Sequence, residues 1–288
     1  MKLSKNLNVL IVGLGLMGGS YAMALKRKGH TVNCITLSQT SIDYALSQGI
    51  IDRGTTEIDE ELIHTCDIAV FALYPHVFTE WIERYGSKFK EGAVITDVTG
   101  VKGEIVEKIQ SMLPEGVEFI AAHPMAGRES SGVENADDRV FKNANYIVVP
   151  TEKNTEKAIK ICEWLGRELG FERIARLSVD EHDKMIAFLS QLTHCIAVSL
   201  MCASEDENIY TYTGDSFRDL TRIAKINETM WCELFSLNKA NLLAEIDKFS
   251  EQLQRLRNAI GSDDGETVKD MMRRSTLRRG YFDKERGV

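Results

Sequence analysis

Residues 9–19 read Val-Leu-Ile-Val-Gly-Leu-Gly-Leu-Met-Gly-Gly, an apolar run that ends in Gly13, Gly15 and Gly18 and leads into helix-forming residues through Lys26. Val9 to Val12 have the unbroken apolar character of a buried strand. Gly13 permits a tight turn, Gly15 leaves the backbone open to a pyrophosphate, and Gly18 lets the next helix pack closely. The helix N-terminus, with its unpaired N–H groups, then faces the anion. A second apolar segment, Thr31 to Leu37, completes a strand–helix–strand unit. The stretch therefore predicts a dinucleotide site, with Leu16 and Met17 filling the turn between the glycines.

The alternation continues along the chain. Further strands are predicted at Asp67 to Leu73, Ala93 to Val98, Glu118 to Ala122 and Tyr146 to Val149, with helical stretches between most of them. Residues 155–169 place Ala158, Ile161, Cys162, Leu165 and Leu169 on one helical face, and Arg173 to Leu177 reads as an edge strand. This pattern implies a Rossmann-like α/β domain, a doubly wound and mostly parallel sheet, over residues 1–178. From 179 to 288 almost only helical spacing remains. Asp180 to Ser204 carries Met185, Leu189, Leu192, Ile196 and Leu200 at three- and four-residue intervals, and Ile223 to Leu243 and Ile246 to Ile260 continue the theme. Helices so long and apolar exceed what a domain of this size covers from within, so an all-helical C-terminal dimerisation domain and a homodimer are expected. Arg273 to Val288, rich in Arg, Lys and Gly, reads as a solvated, partly frayed end.

A chain of 288 residues suits two domains and a sizeable core. Its net charge of −8 argues against a nucleic-acid partner. No run of about eighteen apolar residues stands out as a membrane span, so no membrane partner is expected. A small anionic substrate must then be held by local cations. Cys34, Cys66, Cys162, Cys195, Cys202 and Cys232 are scattered without a CxxC pair. Buried thiols in a reducing cytoplasm are expected, with neither a disulfide scaffold nor a metal. The N-terminus passes straight into the first strand, so no secretion signal is expected.

His123 closes a predicted strand in Ala-Ala-His-Pro-Met-Ala-Gly, ahead of a polar loop containing Arg128, Glu129, Ser130 and Ser131. Ligands of open parallel sheets bind beyond the carboxyl ends of the strands. A neutral imidazole there can take a hydroxyl proton as hydride leaves, or simply cap the strand. Asp97-Val-Thr-Gly-Val-Lys102 reaches the same rim, where Thr99 could bond the reacting hydroxyl or serve as a helix N-cap. Leu73, Pro75 and Asp97, at or just after strand ends, are expected to line the cofactor. On the long helix, Ser190, Gln191 and His194 cluster within two turns, as a binding group or as satisfied core residues. Arg218, Arg222 and Lys225 follow at helical spacing, and an arginine fork can grip a carboxylate through two parallel bonds or form a surface ion pair.

Together these segments resemble the prephenate/arogenate dehydrogenase family of tyrosine biosynthesis. The resemblance is carried over nearly the whole length by Gly-Leu-Gly-Leu-Met-Gly-Gly-Ser (13–20), Thr-Asp-Val-Thr-Gly-Val-Lys (96–102), Ala-His-Pro-Met-Ala-Gly-Arg-Glu (122–129), Glu-His-Asp (181–183), Ser-Gln-Leu-Thr-His (190–194), Phe-Arg-Asp-Leu-Thr-Arg-Ile-Ala (217–224) and Met-Trp (230–231). It implies that His123 is the catalytic histidine, taking the proton of a cyclohexadienol C4 hydroxyl while hydride leaves for the nicotinamide and the ring carboxylate leaves as carbon dioxide. It implies that His194 contacts substrate and that Arg222 binds a substrate carboxylate. Glu129 and Asp219 would form an ionic network with that arginine, with Ser130 and Gln191 also at the substrate. Trp231 would approach the pocket from a partner subunit. The chain departs from the family pattern at Gly100, Gln191 and Thr193, where serine, histidine and proline are usual, and at Asp215 and Ser216, which interrupt a glycine run. Prephenate and arogenate both stay open as substrate.

The cofactor stays open as NAD or NADP. The second strand of an NAD enzyme normally ends in an acid that binds the ribose, and that position is Thr36. Thr36, Ser38 and Gln39 could donate to a 2′-phosphate, but Leu37 stands where an arginine would favour NADP. No further stretch of about seventy residues follows to form a regulatory domain, so control by tyrosine is expected at the substrate pocket or weakly. A β-hydroxyacid dehydrogenase would need a lysine in a glycine-rich helix, and Lys184 lacks those glycines. The reading from another class is a module that senses the nicotinamide without turnover.

Overall fold

The computed structural model describes residues 6–127 and 130–282. Six strands, β1 (Asn8–Val12), β2 (Thr31–Ile35), β3 (Arg53–Thr55), β4 (Ile68–Phe71), β5 (Val94–Asp97) and β6 (Glu118–Phe119), form one sheet in the order β3-β2-β1-β4-β5-β6. Every pairing in it is parallel, and Val12 stands opposite Ile35 on one side and Phe71 on the other. The strand order reverses beside β1, which makes the crevice there the switch point of the sheet. Val9 and Ile11 enter one apolar core while Leu10 and Val12 enter the other. Burial on both faces is why the strand is apolar without alternation.

The crossovers are α1 (Leu16–Arg27), α2 (Gln39–Ser47), α3 (Glu60–Thr65), α4 (Pro75–Tyr85) and α5 (Gly103–Met112). After β6 the chain leaves the sheet. A second sheet contains β7 (Ala121–Met125), β8 (Asn145–Val149) and β9 (Arg173–Arg176), with β7 antiparallel and β9 parallel to β8. The single strand expected over Glu118 to Ala122 is thus two strands in two sheets. His123 does not end a strand: it lies inside β7, opposite Ile147. Pro124 is accommodated because β7 is an edge strand. β3 was not foreseen, since Arg53-Gly-Thr55 has no apolar side chain to signal it.

α6 (Glu156–Leu169) begins at a Thr155 cap and ends at Gly170, whose φ of +92° suits glycine. A capping box of Ser178 and Glu181 then opens α7 (Val179–Ile186). The helix continues through a π-helical segment, Ala187–Gln191, into α8 (Leu192–Cys202). By length and mean hydropathy alone Val179–Cys202 could cross a membrane, although Ser190, Gln191, Thr193 and His194 interrupt its apolar run. α9 (Asp215–Thr221) and α10 (Glu228–Leu237) follow, separated by a 3₁₀ turn at Arg222–Ala224.

Residues 1–238 form one compact unit and 239–288 a second. In the second unit α11 (Lys239–Gly261) and α12 (Gly265–Gly280) pack on one another. The continuous helix expected from Ile223 to Leu243 is broken at Asn238, whose buried amide donates to the Asp183 carbonyl and the Gln191 side chain, both at 2.8 Å. The expected frayed end from Arg273 is helical through Gly280, while residues 283–288 lie outside the described residues. Burial pushes the Cys34, Cys66 and Cys162 thiols up to about 12, yet Cys202 and Cys232 are exposed, against the expectation of six buried thiols.

The glycine turn has a built-in contrast. A Cβ at Gly18 would stand 2.0 Å from the Gly13 carbonyl oxygen, whereas a Cβ at Gly15 would meet nothing within 4 Å. Gly18→Ala should cost about 1–3 kcal/mol through overpacking. Gly15→Ala should change stability by less than about 0.5 kcal/mol. Chemical denaturation of the two variants measures the difference, and equal losses would contradict the packing assigned to the turn.

Candidate active site

Gly13 has φ +94°, and a Cβ there would lie 2.5 Å from the Ala72 carbonyl and 2.8 Å from Leu73 Cδ2. Its N–H donates to the Ile35 carbonyl at 2.9 Å, and the Leu14 N–H donates to Thr36 Oγ1 at 3.3 Å. The loop is therefore held by β2 and pressed against the end of β4. Gly15 precedes α1 with no side-chain cap, and Gly15, Leu16 and Met17 are partly open to solvent. Uncapped amides beside open space fit a pyrophosphate, so these residues suit a dinucleotide. Half-buried Leu73 adjoins the turn, and Pro75 opens α4.

Thr36 is the first residue after β2, and its hydroxyl supports the glycine loop. The Ser38 hydroxyl caps α2 by accepting the Ser41 N–H at 3.1 Å, and Leu37 is 94% exposed between them. Asp97 corrects a second expectation. It is fully buried, its Oδ1 accepting the Ala122 N–H at 3.0 Å and its Oδ2 paired with Lys102 Nζ at 2.6 Å. Both oxygens are spent inside the protein, so the carboxylate does not line a cofactor surface. Thr99 is buried with them, its hydroxyl bonded to Asp97 and 3.0 Å from the Val101 carbonyl. Its expected contact with a reacting hydroxyl is replaced by this internal one.

Lys102 is also fully buried, and its Nζ donates to the Ala122 carbonyl at 2.7 Å. Burial pushes this amine down and the Asp97 charge opposes that. Between them Asp97 and Lys102 hold both peptide groups of Ala122. The next residue is His123.

The His123 ring is half-buried, with Nδ1 2.9 Å from Nε2 of buried His182. His182 Nδ1 is 2.7 Å from Asp183 Oδ1. Asp183 in turn accepts the backbone N–H groups of Lys102 at 2.9 Å and Gly103 at 2.7 Å. Burial, followed by His182 and the Lys102 charge, holds His123 well below the usual histidine range. It therefore remains a neutral base at physiological pH. His182 is also pushed down by burial, against the pull of Asp183. Burial alone would raise Asp183, but His182 and the Gly103 and Lys102 amides outweigh it and hold it low. Lys102, His182 and Asp183 were not singled out from the sequence. The signal lay in the quoted Glu-His-Asp and in a lysine five residues after Asp97.

Gln191 is buried, donating to the Leu234 carbonyl at 2.8 Å. His194 Nδ1 is 2.9 Å from the Ser190 carbonyl, and its ring stacks on Trp231 with centroids 3.7 Å apart. This stacking is made within one chain. The turn bearing Arg222 packs on α8, which carries His194, while Asp219 and Ser130 are exposed. Glu129 lies outside the described residues. Glu233 accepts the His76 N–H at 2.7 Å, and Asn227 bonds the Tyr74 hydroxyl at 3.1 Å, which joins α10 to the start of α4.

A glycine turn at the switch point of a parallel sheet, with a neutral imidazole held beside the carboxyl end of β5, defines a dinucleotide-dependent dehydrogenase. The chain belongs to the prephenate dehydrogenase family: the family's nucleotide-binding domain matches residues 21–172 and its dimerization domain matches residues 178–274. Prephenate dehydrogenase of Bacillus subtilis is 28% identical over 90% of this chain and 72% of its own length. Cyclohexadienyl dehydrogenase of Zymomonas mobilis is 28% identical over 93% of both chains. Among solved structures, prephenate dehydrogenase from A. aeolicus in complex with hydroxyphenyl propionate and NAD+ has a TM-score of 0.88 at 31% identity, covering 98% of this chain and 99% of that one.

Removing one member of the buried pair leaves the other charge uncompensated. Lys102→Met should destabilise the protein by about 3–5 kcal/mol. Urea unfolding reads this loss, and a change below about 1 kcal/mol would mean that the pair does not anchor β7.

Proposed function

We propose that this chain is a cytoplasmic prephenate dehydrogenase, oxidising and decarboxylating prephenate to 4-hydroxyphenylpyruvate, with arogenate going to tyrosine as the alternative reaction. The observation that carries this reading is His123, a neutral, half-buried imidazole bonded at Nδ1 and making no hydrogen bond through Nε2 to any described residue. The glycine turn, Leu16, Met17, Leu73 and Pro75 would hold the dinucleotide, with Thr36 supporting the loop and Ser38 nearby. Bound oxidised nicotinamide supplies the hydride acceptor. His123 takes the C4 hydroxyl proton as the C4–H bond breaks with its electron pair. The bond from the ring to its carboxylate then breaks, carbon dioxide leaves, and that pair completes the aromatic ring. His123 returns its proton to the phenolate oxygen, so no net proton is consumed. Arg222 would hold a substrate carboxylate, Asp219 and Glu129 would form an ionic network with that arginine, and His194, Gln191, Ser130 and Trp231 would shape the pocket.

A second copy of the chain is the partner this reading assigns. Phe188, Leu189 and Met201 stand exposed along the helix from Ala187 to Cys202, and Leu243, Phe249, Leu253 and Ile260 along α11. Apolar surface on this scale favours a homodimer over solvent.

Pure protein mixed with prephenate or arogenate and each oxidised cofactor should generate reduced-nicotinamide absorbance. No signal with either substrate overturns the reading. His123→Asn should lower kcat by about 10²–10⁴ with cofactor still bound. Because the base must be neutral and its pKa is depressed, the acid limb of kcat/KM should fall below 6.5. Thr36→Asp should shift the kcat/KM ratio toward NAD, and an unchanged ratio would mean that the ribose lies elsewhere.

A further inference from the structure

Proton positions along the row Asp183–His182–His123 follow from donor and acceptor chemistry. The ionised Asp183 carboxylate only accepts, and it already takes the Lys102 and Gly103 N–H groups. The His182 nitrogen 2.7 Å from Oδ1 must therefore carry hydrogen. A neutral imidazole has one N–H, so His182 Nε2 is a bare lone pair. Across 2.9 Å from that lone pair stands His123 Nδ1, which must donate. The one nitrogen of His123 left without hydrogen is Nε2.

We propose that His182 and Asp183 are positioning residues that fix His123 in its Nδ1–H tautomer, leaving the Nε2 lone pair as the base. The inference rests on His123 being the base of the proposed reaction. A histidine free to exchange tautomers would spend part of its time with Nε2 protonated and unable to accept. The row removes that state. The opposite row would set a bare His182 Nδ1 against a carboxylate, two acceptors at 2.7 Å. When His123 takes the substrate proton, the imidazolium stays bonded through Nδ1–H to a neutral imidazole whose far side faces a carboxylate. That arrangement offsets part of the repulsion from Lys102, which faces His123 from the loop before α5 together with Asp97.

Lys102 enters the row twice. Its backbone N–H orients Asp183, and its Nζ holds the Ala122 carbonyl next to His123. One residue thus fixes both the main chain of the base and the far end of its side-chain row.

The test is ¹⁵N-histidine NMR on the full chain without ligands, combined with turnover of variants. His123 should show a protonated Nδ1 and a bare Nε2 above pH 7. Asp183→Asn should lower kcat by up to about 10⁴, the order lost when the carboxylate behind a catalytic imidazole becomes an amide, with KM and dinucleotide Kd nearly unchanged. His182→Leu should also lower kcat and leave His123 in mixed tautomers, and His182→Gln, which keeps an accepting carbonyl, should recover part of it. A protonated Nε2 on His123 in active wild-type protein overturns the proposal. So does a fall in kcat that tracks equal losses in KM and thermal stability with the tautomer unchanged. The tautomer is read without turnover, so wild-type protein with the expected NMR signature but no activity would count against the substrate reading alone.

Discussion

The buried pair of Asp97 and Lys102 is the contact on which the site depends. Both side chains are fully buried, which is costly unless each charge is paired and hydrogen-bonded. Here the pair has partners to spare. Asp97 takes the Ala122 N–H and Lys102 takes the Ala122 carbonyl, so β7 is bound to the end of β5 through side chains where no strand ladder joins them. Geometric fixation of the residue before His123 is what this arrangement obtains. A hydrophobic pair of equal volume could fill the space but could not hold two peptide groups in register.

The glycine turn and the histidine row sit on different supports. The turn belongs to β1, β2 and β4 through Gly13, Leu14, Thr36 and Leu73. The row belongs to β7, α5 and α7. They meet through β5, whose neighbour in one sheet is β4 and whose terminal Asp97 reaches into the other. Hydride transfer needs two reactants held to within fractions of an ångström, and rigid elements give that more reliably than loops.

Much of this was legible in the residues. β1 and α1 could be read because buried parallel strands are continuously apolar and each glycine has a distinct steric task. β3 could not, because an edge strand of Arg-Gly-Thr has neither periodicity nor apolar content. The split after Phe119 was hidden because the residues on both sides are apolar whichever sheet they enter. Asp97 misled for a chemical reason. A carboxylate at a strand end reads as a ligand, and only the fold reveals that Lys102 turns back into the interior to meet it. His182 and Asp183 were visible as an adjacent pair, but neighbours on a helix point about 100° apart, so their bond was not implied by spacing. His194 and Trp231 are 37 positions apart, and only the return of α10 against α8 stacks them.

The π segment supplies the last constraint. A turn closed by i→i+5 bonds inserts one extra residue and rotates everything beyond it by about 100° relative to an unbroken α-helix. Before it, His182, Asp183 and Ile186 face inward. Within it, Gln191 is buried and meets Asn238, where α10 ends. Beyond it, His194 lies against Trp231. A regular α-helix would carry Gln191 and His194 on faces set by the phase of His182. The widened turn lets one helix serve a buried row at its start and a stacked, partly open histidine farther along. The Ser190 carbonyl, within the π segment, lies 2.9 Å from the His194 ring nitrogen and accepts the Thr193 hydroxyl at 2.7 Å. The change of phase across the π segment thus sets the face of a side chain that the sequence, read at a period of 3.6, could place on the helix but not aim.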